Sequence, residues 1–252
     1  RKNRDKVEVF FLLGRLYERM GRWDQANQNY EKYIMSGSAA NGALVVEAHY
    51  RIAKVHEGRN RIKITDEWFE KTVAVQRRLA QRGQVVGVSF AAEAKYKLVS
   101  RAYPEFVALR IPRDPAKQGA AVQQKLKLLS RLQEELKKVI AYDDGYQIVS
   151  ALNLQGQALQ HMYVTLIETP IPKGLTPEET KQYKEGVDKI ANPFRDQAIA
   201  SYELAISRGF QLQAYNSAIN SAQKGLAQLK GQVSPVLNTR VLLTKEPDWM
   251  EM

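Results

Sequence analysis

Glu8-Val9-Phe10-Phe11-Leu12-Leu13-Gly14-Arg15-Leu16-Tyr17-Glu18 returns, without a gap and 39 residues later, as Glu47-Ala48-His49-Tyr50-Arg51-Ile52-Ala53-Lys54-Val55-His56-Glu57. In the same register Tyr30-Glu31-Lys32 returns as Phe69-Glu70-Lys71, and Ile34 as Val73. Self-similarity at such a period marks stacked units that bury their apolar faces only against neighbours. It directs attention to binding by surface rather than to chemistry at a site.

Each unit reads as two antiparallel helices. Phe10, Leu13, Leu16 and Tyr17 recur at helical spacing, Gly21 supplies a turn, and Trp23, Ala26, Tyr30 and Ile34 continue on a second helix. The second unit, about 45–80, keeps Ile52-Ala53 and Phe69, but has Asn60 for the turn glycine and Thr65 for Ala26. Ser36–Gly42 forms the loop between units.

Leu13-Gly14, Tyr17, Gly21, Ala26 and Tyr30 fall at the signature spacings of tetratricopeptide repeats, and the chain resembles that family. The resemblance implies an all-α fold, a tetratricopeptide-like right-handed α-solenoid, with Gly14 and Ala26 as points of close helix approach. The unit departs from the pattern at Tyr33, where a small residue is usual, and at Ser38, where proline is common.

Beyond residue 82 the period fades. Apolar spacing predicts a helix over about 89–111 that Pro104 kinks or restarts. A long helix follows over 116–142, with Val122, Leu126, Leu129, Leu132, Leu136, Val139 and Ile140 on one side. Its other side carries Lys125, Lys127, Arg131, Lys137 and Lys138. Asp143-Asp144-Gly145 reads as a turn before a helix to about Glu168. Thr176-Pro177-Glu178-Glu179 is a helix start, with Thr176 as N-cap and proline in the first turn. A pause is expected at Asn192-Pro193, after which Ala198, Tyr202 and Ala205 restore the second-helix spacing of a repeat. Gly186 stands where the matching first helix wants a small residue. A last helix over about 212–229 ends at Gly231. The expected organisation is two repeats in 1–82, degenerate helical repeats and capping helices in 83–231, and an extended tail in 232–252. Val241-Leu242-Leu243 and Trp249 are the sticky parts of that tail, suited to self-association.

The Pro170-to-Glu179 segment, Asn192-Pro193-Phe194 and the Ala198–Tyr202–Ala205 helix give residues 90–230 a narrower resemblance. They are similar to the C-terminal part of large cell-envelope tetratricopeptide proteins of delta-proteobacteria, including gliding-motility proteins. This implies a periplasmic scaffold within a multiprotein machine, with the cytoplasm as the alternative location. The 252 residues contain no cysteine, which excludes disulfides and thiolate chemistry and leans toward export. The first residue is Arg1 and no signal-type segment is present, so an excised or processed chain is expected. No apolar run reaches the roughly 20 residues of a membrane span.

Catalysis is not expected. His49 and His56 take packing positions, and His161 has no clustered acid. Gly83-Gln84-Val85-Val86-Gly87 lacks the lysine of a phosphate loop, and Asp143-Asp144 and Glu178-Glu179 suit a turn and a helix start. No cofactor or metal is expected. In the family, set positions of each first helix contact ligands. Carried over to this chain they are Glu8, Phe11, Arg15 and Glu18, and Glu47, Tyr50, Lys54 and Glu57. Each set reads acid, aromatic, base, acid at spacings of three, four and three, which puts all four on one helix face. Such a face suits a peptide or helix of another protein. The rival reading starts from charge. The chain carries a net +11, and residues 51–138 hold 20 Lys/Arg against 9 Asp/Glu, so RNA or another anionic polymer is the alternative partner. Only Tyr96, between Lys95 and Lys97, offers the stacking aromatic that single-strand binding uses.

Overall fold

A computed structural model describes residues 2–37 and 40–231, with side chains from Val7 onward; the tail expected over 232–252 lies outside the described residues. Described residues form helices and no strand, so the fold is all-α. In chain order the helices are α1 (Lys2–Arg19), α2 (Trp23–Met35), α3 (Gly42–Gly58), α4 (Ile62–Gln81) and α5 (Val88–Ser100). They continue as α6 (Ala102–Ala108), α7 (Pro115–Ile140), α8 (Gly145–Ile167), α9 (Pro177–Gln211) and α10 (Ser217–Lys230). Two compact units divide the described residues: those within 2–108 together with 130–147, and 109–129 together with 148–231.

The first unit follows the repeat. α1 turns into α2 through Gly21 at φ 69°, and α3 turns into α4 through Asn60 at φ 54°. Asparagine tolerates the left-handed region better than most residues, which explains how it replaces the turn glycine. A Cβ added at Gly14 would stand 2.5 Å from the Tyr30 ring, so α1 and α2 meet there with no room for a side chain. Phe11, Ala26, Tyr30 and Tyr33 are buried with Ala48 and Ile52 of the following helix in one cluster. The departures from the repeat pattern are accommodated by hydrogen bonds. The Thr65 hydroxyl donates to the Arg61 carbonyl at 3.0 Å, and the Tyr33 hydroxyl accepts from the Asn41 amide at 2.8 Å. Tyr33 thereby ties the inter-repeat loop to the core. Ala53, Phe69 and Ala94 make the next cluster, which joins α5 to the second hairpin. The helix expected over 89–111 is divided near Arg101, and Pro104 lies in the first turns of α6, where its missing N–H costs least.

In the second unit α8 pairs with the C-terminal half of α9. A Cβ at Gly156 would stand 2.5 Å from the Tyr202 ring, the same approach as at Gly14. This corrects the role expected of Gly186, which is exposed with nothing within 4 Å of its added Cβ. α9 also runs without interruption through Pro193, where a pause was expected. The carbonyl that loses its donor there belongs to Lys189, on an exposed turn open to water. The Thr176 hydroxyl and the Glu179 carboxylate form a reciprocal capping box at the start of α9. Asn216 caps α10, and Gly231 ends it at φ 63°.

Lys125 is a further correction. Placed by spacing on the solvated side of α7, it is fully buried. It lies one turn before the buried Leu129, on the apolar stripe. Its Nζ donates to the Leu109 carbonyl at 2.7 Å and lies 3.1 Å from His161 Nε2. Burial lowers the proton affinity of the amine.

Candidate binding face

Most of the eight residues expected to contact a partner are engaged inside the molecule. Phe11 is 2% exposed, with its ring centroid 5.7 Å from Tyr30 and 5.4 Å from Tyr33. It is a core residue, and a partner contact through its ring is corrected on that ground. The α1 face that carries Phe11 turns toward α2, because Gly14 and the Tyr30 ring bring the helices together three residues further on. Tyr50 packs against Phe69 at 6.0 Å and Phe90 at 5.2 Å. Burial, then its hydrogen bond to Glu93, raises the phenol pKa.

The charged positions join neighbouring helices. Arg51 of α3 reaches Glu18 of α1 at 3.1 Å and Glu47 at 2.7 Å, while Glu18 also accepts from Tyr30 at 2.5 Å. Glu57 accepts from Lys54 on its own helix and from Lys97 of α5 at 3.2 Å. Burial works to raise the Glu57 pKa, but the hydrogen bonds and charges of Lys54 and Lys97 outweigh it and hold the carboxyl below its ordinary value. Lys95 continues the series to Glu135 at 2.5 Å. Glu18 and Glu57 therefore brace one helix against the next, while Glu47 and Lys54 pair within α3 with the residues that do so, Arg51 and Glu57. Glu8 and Arg15 are half-buried on α1, with no ion pair among the described residues.

A different face of α1 is open. Val9, Leu12, Leu16 and Met20 are 48%, 59%, 51% and 53% exposed, and their spacing of three, four and four makes a continuous stripe. Leu12 and Leu16 line a shallow groove of about 300 Å³ with Arg15 and Arg19. The 39-residue register gives this stripe a meaning. Its counterparts on α3 are Ala48, Arg51, Val55 and Arg59, the side that α3 turns toward the preceding hairpin. Ala48 sits in the Phe11–Tyr30 cluster, Val55 is buried, Arg51 pairs with Glu18, and Arg59 pairs with Asp24 at 2.6 Å. What α3 uses to dock on a helical hairpin, α1 leaves uncovered among the described residues.

The resemblance to tetratricopeptide repeats pointed to other positions and passed over this stripe. A signal existed: Val7, Val9, Phe10, Phe11, Leu12, Leu13, Leu16 and Tyr17 are too many apolar residues for one buried face.

Among the described residues no helix is long and apolar enough to cross a membrane, and no three His, Cys, Asp or Glu side chains are grouped to hold a metal ion. No protein-family model matches this chain, and no curated protein matches it in sequence.

Proposed function

We propose that the chain is a non-catalytic, tetratricopeptide-like scaffold that binds another protein through the outer face of α1. The observation that carries this reading is the register equivalence between the exposed Val9–Leu12–Leu16–Met20 stripe and the docking side of α3. An exposed apolar row of this kind is a recurrent mark of a protein contact. Its chemistry also describes the occupant. Where α3 presents Arg51 and Arg59 to carboxylates, α1 presents Leu12 and Met20, so the partner is a helical hairpin that is apolar at those two places. A carboxylate there would be desolvated without a counter-charge.

The setting proposed is a periplasmic assembly in a bacterial envelope, of the gliding-motility type. It is supported by the resemblance of residues 90–230 and by the lack of cysteine. The anionic-polymer alternative is weakened by internal pairing, since Arg51, Lys95, Lys97 and Arg101 of the basic region already face carboxylates. A photoreactive residue placed at 12, and in a control at the exposed Met35 of α2, tests the binding face in cells. One discrete cross-linked protein at position 12 and none at 35 is expected. Identical cross-linking patterns at both positions would remove the assignment.

A further inference from the structure

The second hairpin carries a cleft that has no part in the α1 face. It holds about 580 Å³, within the range of small-ligand sites, and lies between the α2–α3 connection and α4. One part of its lining is apolar: Ile34, Val45 and Leu79 are half-buried, and Val75 is buried. The other part is cationic and polar, with the exposed Arg78, Arg82 and Gln84. Arg78 lies in the last turn of α4 and Arg82, four residues on, caps its C-terminal end, about 6 Å further along the axis, so both can face one anionic group. Neither pairs with a carboxylate among the described residues, in contrast to Arg51, Arg59 and Arg101.

The wall beside the two arginines is rigid and uncharged. His49 is 7% exposed, its Nδ1 lies 2.8 Å from the Val45 carbonyl, and its ring packs on Trp68 with centroids 5.6 Å apart. Burial, with Lys71 and Arg78 nearby, lowers its pKa, so the imidazole stays neutral and adds nothing to the charge. A bare inorganic anion would leave the apolar lining unfilled, and a neutral apolar molecule would leave two guanidinium groups without a counter-charge.

We propose that this cleft binds the carboxylate end of an amphiphile, with Arg78 and Arg82 clasping the carboxylate and Ile34, Val45, Val75 and Leu79 receiving its apolar part. A free fatty acid and the C-terminus of a peptide ending in leucine share this chemistry. Guanidinium–carboxylate hydrogen bonds are charge-assisted and geometrically matched, so the head group dominates selectivity.

The full chain is titrated with octanoate and with octanamide, followed by tryptophan fluorescence and by calorimetry. A leucine-terminated hexapeptide, as free acid and as amide, forms the second arm and separates the two sources. Octanoate or the peptide acid binds saturably, its amide binds at least roughly tenfold more weakly, and Arg78→Gln with Arg82→Gln brings the acid down to the amide's level. Arg77→Gln, on the same helix but outside the cleft, leaves binding as it was. Equal binding of acid and amide, undiminished binding by the double variant, or no saturable binding of either acid overturns the proposal. None of these outcomes bears on α1, so the site and the scaffold reading fail separately.

Discussion

The hairpin α1–α2 and the pair made by α8 with the end of α9 solve one packing problem with different polar chemistry. In each, a glycine admits a tyrosine ring, at Gly14 for Tyr30 and at Gly156 for Tyr202, with the same 2.5 Å approach to an added Cβ. In each, the tyrosine hydroxyl donates to the residue four places after the glycine, Glu18 at 2.5 Å or Gln160 at 2.7 Å. That residue is then tied to the next helix in the unit. Glu18 receives Arg51 of α3, and the Gln160 amide donates to Gln228 of α10 at 3.0 Å. Packing thus requires the glycine, the ring and an acceptor one turn on, and charge is an addition made only in the first unit.

Removing the ring breaks both sites most severely. Tyr30→Ala and Tyr202→Ala are each expected to cost about 3–5 kcal/mol, read by chemical denaturation, since each empties a fully packed position. A much smaller loss at Tyr202 would show that the two pairings are not equivalent. Gly14→Ala and Gly156→Ala come next, at about 1–3 kcal/mol each, because the methyl group must push the ring aside. Similar losses at the two glycines are expected, and a neutral effect at either would contradict the close approach.

Removing only the hydroxyl separates the two chemistries. Tyr30→Phe leaves a partly desolvated carboxylate short of a donor, at a cost of about 1.5–3 kcal/mol, against about 0.5–1.5 for Tyr202→Phe beside a neutral amide. Equal costs would mean that charge at Glu18 adds nothing to the first site.

The smallest effect expected is that of pH. Glu57 has its carboxyl held below the ordinary 4.5 by Lys54 and Lys97. Its contribution is therefore present above that value and is lost as pH falls through the lower folded value. Between about pH 5 and pH 3, Tm should fall less for Glu57→Gln than for the unaltered chain. Parallel decreases in Tm would remove the ion pairs between neighbouring helices as a source of acid sensitivity.

These comparisons also show how far the sequence could be read. The first two hairpins were legible because 39-residue spacing survives in apolar and small residues, which packing constrains. The second-unit pairing was half legible. Ala198, Tyr202 and Ala205 announced a second helix, but its partner glycine lies 46 residues before Tyr202, against 16 between Gly14 and Tyr30. The stretch 168–190 intervenes, and Gly186 stood nearer in sequence. The binding positions were least legible, because helix spacing shows which residues share a face and not which neighbour covers it. Glu18 and Glu57 look like solvated charges until Arg51 and Lys97 arrive from other helices. Leu12 and Leu16 look like core until nothing among the described residues covers them.

Equilibrium affinity of the protein cross-linked at position 12, measured against the unaltered chain and against Leu12→Asp with Leu16→Asp, tests the α1 face most directly. Both leucines are exposed, so the unfolding midpoint should hardly move, while affinity should fall by roughly a hundredfold or more as two carboxylates enter an apolar contact. Unchanged affinity with an intact fold would show that the stripe is not where this chain binds.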